Sequence, residues 1–484
     1  MNQLVTQAVI AQPVFLAEAE TIDLSALHRL NPQRYPFLLE SVAKSEQGDF
    51  SILMAQPSES MQLNPGAPSE LFVAQAQQAF VDCAQCEFAI TLHGVSALFS
   101  NVAVGALLHQ ANQLPFKSGW FSYFSYDYAQ VVEPVLQLPT SQLPLANLTR
   151  CHASVTLDHN RHQLWILVEA DYAHLLSEIL AEIEEVLLQE DKPASYVVIN
   201  NLQEEDPQKY LAGVDAIKEY ILAGDVFQVN LSRLWQANLA AEQDYLQVYQ
   251  ALRLNNPAPF AALACLQDQH QAPWQIISSS PERLVKFDHC WVDTRPIAGT
   301  RRRSEDVAAD KALMDELIAH PKERAEHIML IDLERNDLGR ICQPGTVEVN
   351  ELMVVESYQH VHHIVSNVRG KLRDGFSPLD IVHALFPGGT ITGCPKIRCM
   401  EIVAELEKMP REAYTGSLGY INLDGSLDLN ILIRTLIQYQ QQGESVIQFR
   451  AGAGIVADSD AQFELVETRH KARGLLRAFG LKDA

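Results

Sequence analysis

Residues 386–401 read FPGGTITGCPKIRCME, and the reading of the chain works outward from them. Pro387 fixes its own φ, and Gly388-Gly389 admit backbone angles closed to other residues, so no regular element runs through this point. Thr390 and Thr392 offer hydroxyls, and Pro395 suits the first position of a helix, where a missing N–H costs nothing. Ile397, Met400 and Val403 follow at near-helical spacing. The pattern predicts a glycine-rich loop feeding a helix N-terminus, whose free N–H groups and macrodipole attract an anion. The plainer alternative is a tight turn before a core helix.

Composition narrows what such a site serves. A chain of 484 residues exceeds one simple core, so two domains or one large intertwined fold is expected. Thirty-six basic against sixty acidic residues leave a net charge of −24, which disfavours nucleic acid and anionic membrane as partners. An anionic substrate in so acidic a protein needs local donors or a metal ion. No apolar run approaches the roughly 20 residues that span a bilayer. The opening MNQLVTQAVIAQ has no basic segment before its apolar residues, so no signal peptide is expected. Eight scattered cysteines suit a reducing cytoplasm, and Cys83 with Cys86 forms a C-x-x-C without a second pair at zinc-ligand spacing.

Along the chain, YPFLLESV (35–42) reads as a strand ending in Glu40 and Ser41. Residues 71–80 suggest a helix, and the aromatic run at 116–128 a half-buried strand. The acidic amphipathic segment 173–188 precedes a polar connector, 189–207, which separates an N-terminal region (1–195) from a second part (205–484). A helix at 208–223 stops at Gly224, and VFQVNLS then alternates strictly, with Gln228, Asn230 and Ser232 on one face. That face meets solvent or lines a cavity. Strand-like segments at 276–285 and 291–300 surround Glu282 and Ala298, with a charged loop at 301–310. Asp424-Gly425 marks a hairpin. Arg434, alone in an apolar run, is expected to point towards an anion, and a capping box of Ser459 and Gln462 to start the last helix. Gly452-Ala453-Gly454 lacks the third glycine and the βαβ context of a dinucleotide fingerprint.

Glu323 with Glu326, and Glu464 with Glu467, are spaced three apart on two expected helices, so each pair shares a helix face. Solvated glutamate faces are common. Two such pairs together point to Mg²⁺, which prefers few carboxylates plus substrate oxygens and water.

These motifs carry a resemblance. GDVFQVNLSR, SSSPERLV, PIAGTRRR, ERAEHIMLIDLERNDLGR, HVHHIVS, FPGGTITGCPKIRCMEI, YTGSLGY, IRTL and GAGIVADSD, in this order from 210 to 475, resemble the chorismate-utilising enzymes, in particular the large synthase subunits for aminodeoxychorismate and anthranilate. YPFLLES and SYFSYDY extend the resemblance loosely over the first half. It implies an α+β fold, a large sandwich of two antiparallel sheets with the active site between them. By motif, Glu326 and Glu467 are the implied Mg²⁺ ligands, supported by Glu323 and Glu464. Glu282 is the implied general acid/base beside the departing C4 hydroxyl, and His363 the histidine near the reacting ring. Thr390, Tyr414, Arg434, Gly452, Gly454 and Lys471 surround chorismate and its enolpyruvyl carboxylate. Glu40 and Ser41 match a position where family members bind tryptophan; here that pocket is regulatory, structural or empty.

Gln228 predicts the nucleophile. Members that add water carry a lysine base there, whereas a neutral glutamine takes no proton and ammonia already has a usable lone pair. No glutaminase segment is recognisable, so ammonia is expected from a separate glutamine amidotransferase subunit. QVNLSR, DLERNDLGR, His362 and PGGTITG favour C4 amination to aminodeoxychorismate, for 4-aminobenzoate and folate. Ala298, where aminodeoxychorismate synthases carry lysine, favours the alternative, anthranilate.

Overall fold

The computed structural model describes residues 5–16, 22–43, 49–83, 86–95, 101–189, 197–357 and 361–481. Its architecture follows from one long strand, Ala146–Asp158, whose 13 residues are nearly all buried. Along one edge it pairs throughout with Phe50–Leu63. Its other edge divides: the first half pairs with Gly119–Phe124, the second with Gln163–Glu169.

From that division the sheet opens into two wings. One runs through Phe37–Glu40, Phe260–Gln267, Pro273–Ser280, Thr435–Gln441 and Glu444–Ile455 to Gln228–Leu239. The other runs through Ser417–Asn422, Leu427–Asn430, Arg283–Phe287 and Trp291–Thr294 to Val361–Lys371. Both wings are antiparallel throughout; Val5–Val14 with Cys86–Leu92 is parallel. Strands from the first 195 residues pair directly with strands beyond 205, as Phe37–Glu40 does with Phe260–Gln267.

Between the wings lies a core of Phe37, Met54, Trp274, Ile276 and Ile437 from one side and Phe121, Tyr123, Leu418 and Tyr420 from the other. Phe37 and Phe121 stack with ring centroids 3.8 Å apart. This two-sided packing corrects one expectation: Gly119–Phe124 is buried on both faces, because Phe121 and Tyr123 pack against the first wing and Trp120 and Phe124 under the outer helices. Helices cover the outer faces, Leu175–Leu187, Tyr245–Asn255 and Ala461–Arg477 on one wing and Ser69–Cys83 and Pro378–Leu385 on the other. No helix among the described residues is long and apolar enough to cross a membrane.

Two segments carry the chain from wing to wing. Pro281-Glu282 joins Pro273–Ser280 to Arg283–Phe287, and Ile431 through Arg434 joins Leu427–Asn430 to Thr435–Gln441. Pro281 has no N–H for a ladder, so the strand stops there. The two crossings hold each other, with Ile431 N donating to Glu282 O at 3.0 Å and Ser279 N to Arg434 O at 3.0 Å.

Other local readings change in the structure. Asp306 accepts from Ala309 N and starts a helix, Val307–Ala319, inside the stretch expected as a charged loop. The last helix is capped by Asp460, which accepts from Phe463 N; Ser459 bonds Glu464 instead, at 2.7 Å. Pro395 is the N-cap, not the first residue, of Lys396–Glu407.

At the end of that helix Glu407 is fully buried and anchors it to the sheet. It accepts from Ser232 N and Oγ at 2.8 Å, from Arg411 at 2.6 and 3.0 Å, and from Arg450 at 2.9 Å. The two guanidiniums hold its carboxyl down at about 2 against burial, the largest influence. The contribution of this depressed pKa is therefore complete above about pH 4.5 and is lost as pH falls towards 2. We expect Glu407→Leu to lower the unfolding free energy by about 3–5 kcal/mol in urea titrations at neutral pH, since it leaves two buried cations unpaired. The difference between the two proteins should shrink as pH falls below 4.5.

Candidate active site

The loop that opened the sequence reading joins three parts of the molecule. Gly393 pairs with Val229, and a Cβ on it would stand 2.1 Å from Gln228 O, so only glycine lets the loop lie against the strand. Asn230 N donates to Thr392 O at 3.0 Å. A Cβ on Gly389 would stand 2.4 Å from Leu333, which seats the loop on the helix Pro321–Gly339. The hydroxyls expected to meet an anion are engaged within the protein. Thr392 donates to Gly388 O at 3.0 Å, and Thr390 donates to Glu282 Oε1 at 2.8 Å.

Glu282 is buried, and burial above all raises its carboxyl to about 8; the charge of Glu334 adds to this, while Thr390 and Lys471 oppose it. It is a carboxylic acid at neutral pH. Glu334, also buried, is raised to about 7, mainly by burial and by Asp337, and accepts from Thr294 Oγ1 at 2.9 Å. Asp337 is bridged by Lys396 at 2.5 Å.

Gln228, Asn230 and Ser232 face inward and are all buried, which excludes the solvent reading; Ser232 packs against Glu407. The next strand presents Gly452 and Gly454 opposite them. A Cβ on Gly454 would stand 2.5 Å from Gln228 Nε2, and one on Gly452 would stand 2.8 Å from Tyr414 Oη. Lys471 donates to Gly452 O at 3.1 Å and pairs with Glu467 at 2.7 Å. Arg434, at a left-handed φ of 54°, donates to the Lys471 carbonyl. Among the described residues no carboxylate bonds it, although the charge of Glu467 acts on it. The structure thus brings Gln228, Tyr414, Arg434, Gly452, Gly454, Glu467 and Lys471 into one group.

A second group forms around Gly299, at φ +65°: its Cβ would stand 2.9 Å from Glu323 Oε2. His363 Nδ1 lies 3.3 Å from Gly299 O and 3.0 Å from Thr300 Oγ1. The carbonyl requires Nδ1 to carry the proton, leaving the Nε2 lone pair as acceptor. Burial lowers the His363 pKa, and Arg434 adds to it. Ala298 is buried on the same strand. His362 points the other way, to Asp310 at 2.9 Å and Ser357 at 2.7 Å.

The four glutamates remain on two separate helices. Glu323 pairs with Arg301 at 3.2 Å, Glu464 accepts from Ser459, Glu467 pairs with Lys471, and Glu326 is half-buried. Among the described residues no three His, Cys, Asp or Glu side chains gather into a metal cage. Mg²⁺ bound by one or two of these carboxylates would need substrate oxygens and water to complete its coordination.

Glu40 and Ser41 border a cavity of about 630 Å³ that none of the catalytic candidates lines. Glu40 is held by Tyr249 and by Arg253 at 3.1 Å, and Arg253 reaches Asp23 at 2.9 Å. Arg283, next to Glu282, faces this cavity and pairs with Asp428 at 2.8 Å.

Sequence reasoning missed Glu334 and the ion cluster of Glu407, Arg411 and Arg450. The carboxylates of Glu334 and Asp337 at i, i+3 on an otherwise apolar helix stripe were the available signal for the first; Glu407, in a polar stretch, left none.

Comparison with known proteins agrees with this geometry. The family model described as chorismate binding enzyme matches residues 37–477, and the chain belongs to that family. It is 42% identical over 380 residues to aminodeoxychorismate synthase component 1 of Bacillus subtilis, covering 76% of this chain and 78% of the relative. It is 35% identical over 505 residues to anthranilate synthase component 1 of Acinetobacter calcoaceticus, covering 100% and 98%. Among solved structures, anthranilate synthase component I from Streptococcus pneumoniae superposes with a TM-score of 0.70 at 28% identity, over 95% of each chain.

Chorismate turnover by an acid of pKa about 8 should fall as pH rises through that value, and Glu282→Gln should cost roughly 10²- to 10⁴-fold in rate. Glu334→Gln removes a negative neighbour, so the same limb should move to lower pH. Rate–pH profiles of the three proteins check both signs.

Proposed function

We propose that this chain aminates chorismate to 4-amino-4-deoxychorismate, as the ammonia-using component of a two-component synthase. The observation that carries the reading is a neutral amide, Gln228, buried beside Gly454, with a buried acid, Glu282, raised to about 8 and bonded to the loop that seats on the same strand. No lysine stands at the Gln228 position to take a proton from water, so ammonia is the competent nucleophile. Glu282 gives its proton to the departing C4 hydroxyl, which leaves as water; the C–N bond forms, and a proton of the new ammonium group returns to the carboxylate. Arg434, Lys471 and Tyr414 receive the enolpyruvyl carboxylate, and His363 Nε2 faces the ring. Mg²⁺, held by Glu326 and Glu467 with Glu323 and Glu464 in support, would neutralise the ring carboxylate. The relatives named above are component 1 of their synthases, which suits a chain supplied with ammonia by a separate glutamine amidotransferase subunit in the cytoplasm.

Ala298 and the full-length likeness to an anthranilate synthase favour a second reading, C2 amination followed by loss of pyruvate. One assay separates the two. With chorismate, Mg²⁺ and ammonium, followed by a lyase that converts aminodeoxychorismate, 4-aminobenzoate is the expected product. Fluorescent anthranilate and pyruvate without the lyase would establish the second reading instead. The chain alone should use ammonium and not glutamine. Glu326→Gln and Glu467→Gln should abolish turnover while leaving the unfolding midpoint within a few degrees of wild type, and full activity in a chelator would exclude the metal assignment.

A further inference from the structure

Asn230 performs no task in the scheme above, and its side-chain oxygen is one of two buried amide oxygens, with that of Gln438, left without a partner among the described residues. The residue is 9% exposed, and its Oδ1 is buried with no hydrogen-bond partner among the described residues. A buried acceptor left unmet costs about 1–3 kcal/mol, so a native site that keeps one calls for a ligand or a strain explanation. The backbone here is regular: Asn230 lies within Gln228–Leu239, in unbroken register with Glu444–Ile455. The orphan oxygen sits above Gly452, 2.7 Å from the point where a Cβ would stand, and Tyr414 Oη is 2.8 Å from that same point. Glycine at 452 is what lets two oxygens converge there. Asn230 and Gln228 are two residues apart on one face, so the orphan oxygen is the next inward group after the amide that marks the nucleophile's side.

The charge beneath this spot is positive in sum. Arg411 donates to Asn230 O at 2.7 Å, and Arg411 and Arg450 share the single carboxylate of Glu407. Two cations against one anion disfavour a further cation and admit a neutral donor. Ammonia is such a molecule: three N–H donors and one lone pair. Acceptor oxygens hold it through N–H groups and leave the lone pair for carbon, whereas a donor-rich site would bind the lone pair and silence it.

We infer that Asn230, with Tyr414, forms the docking site for neutral ammonia, orienting the incoming nucleophile through its side-chain oxygen. This rests on the amination reading and names where its second substrate binds. Asn230→Leu keeps the approximate shape and removes the acceptor; Asn230→Asp keeps an oxygen in place. With chorismate and Mg²⁺ saturating and ammonium chloride varied at fixed pH, Asn230→Leu should raise the half-saturating ammonium concentration ten-fold or more. Its kcat at saturating ammonium should stay within about two-fold, and Asn230→Asp should restore most of the loss. The Kd for chorismate, measured in the absence of ammonium, should not move. An unchanged ammonium requirement, or an equal loss of chorismate affinity, overturns the inference. Should the leucine variant not fold, Asn230→Thr, whose hydroxyl stops short of the Tyr414 side, is read by the same criteria. If the wild-type chain consumes no chorismate with ammonium, the amination reading itself has failed; if it does and the variants match it, only the role of Asn230 has.

Discussion

The site depends on one close approach, that of Gly393 to the Gln228 carbonyl. With a Cβ 2.1 Å from that oxygen the loop would lift off the strand. Lifting it would move Thr390 away from Glu282 and Gly389 away from Glu334. The ten residues between Leu385 and Lys396 thus couple the Gln228 strand to both buried acids. Packing this tight is bistable rather than elastic, so the loop either seats all three contacts or none.

The crossings between wings explain why the acid stands where it does. A strand interior gives every backbone group a ladder partner and points side chains at fixed faces. Pro281 ends that regime, and Glu282 emerges between the sheets with its carbonyl held by Ile431. Arg434 emerges at the return crossing in a left-handed conformation that non-glycine residues adopt at a cost, which the bond to the Lys471 carbonyl offsets. The same break separates two spaces. Glu282 turns to the cleft, and its neighbour Arg283 turns to the cavity edged by Glu40.

Acidity at the level of the whole chain is answered locally. The net charge is −24, yet the cleft gathers Arg434, Lys471, Arg411 and Arg450 against carboxylates that are either protonated, as Glu282 is, or already paired, as Glu407 is. Burial and the cations it brings alongside, not sequence proximity of charges, decide which carboxylates stay ionised: buried Glu407 has two guanidiniums and buried Glu282 has none bonded to it.

What the sequence determined by itself was the set of elements and the list of candidates. Strict alternation placed Gln228, Asn230 and Ser232 on one face, Asp424-Gly425 closed its hairpin, and ordered motifs named Glu282, Lys471 and Tyr414, because periodicity and turn chemistry are local properties. It could not tell a solvated face from a cavity, since that requires knowing what packs opposite. The aromatic strand Gly119–Phe124 looked half-buried for the same reason. The helix Val307–Ala319 was hidden by charged residues whose partners, Arg303 for Asp310 and Arg301 for Glu316, were not yet opposite one another. Only the tertiary structure showed the division of Ala146–Asp158, the Glu334 that acts on Glu282, and the unmet oxygen of Asn230. Each depends on residues tens to hundreds of positions apart, brought together by two wings closing on one core.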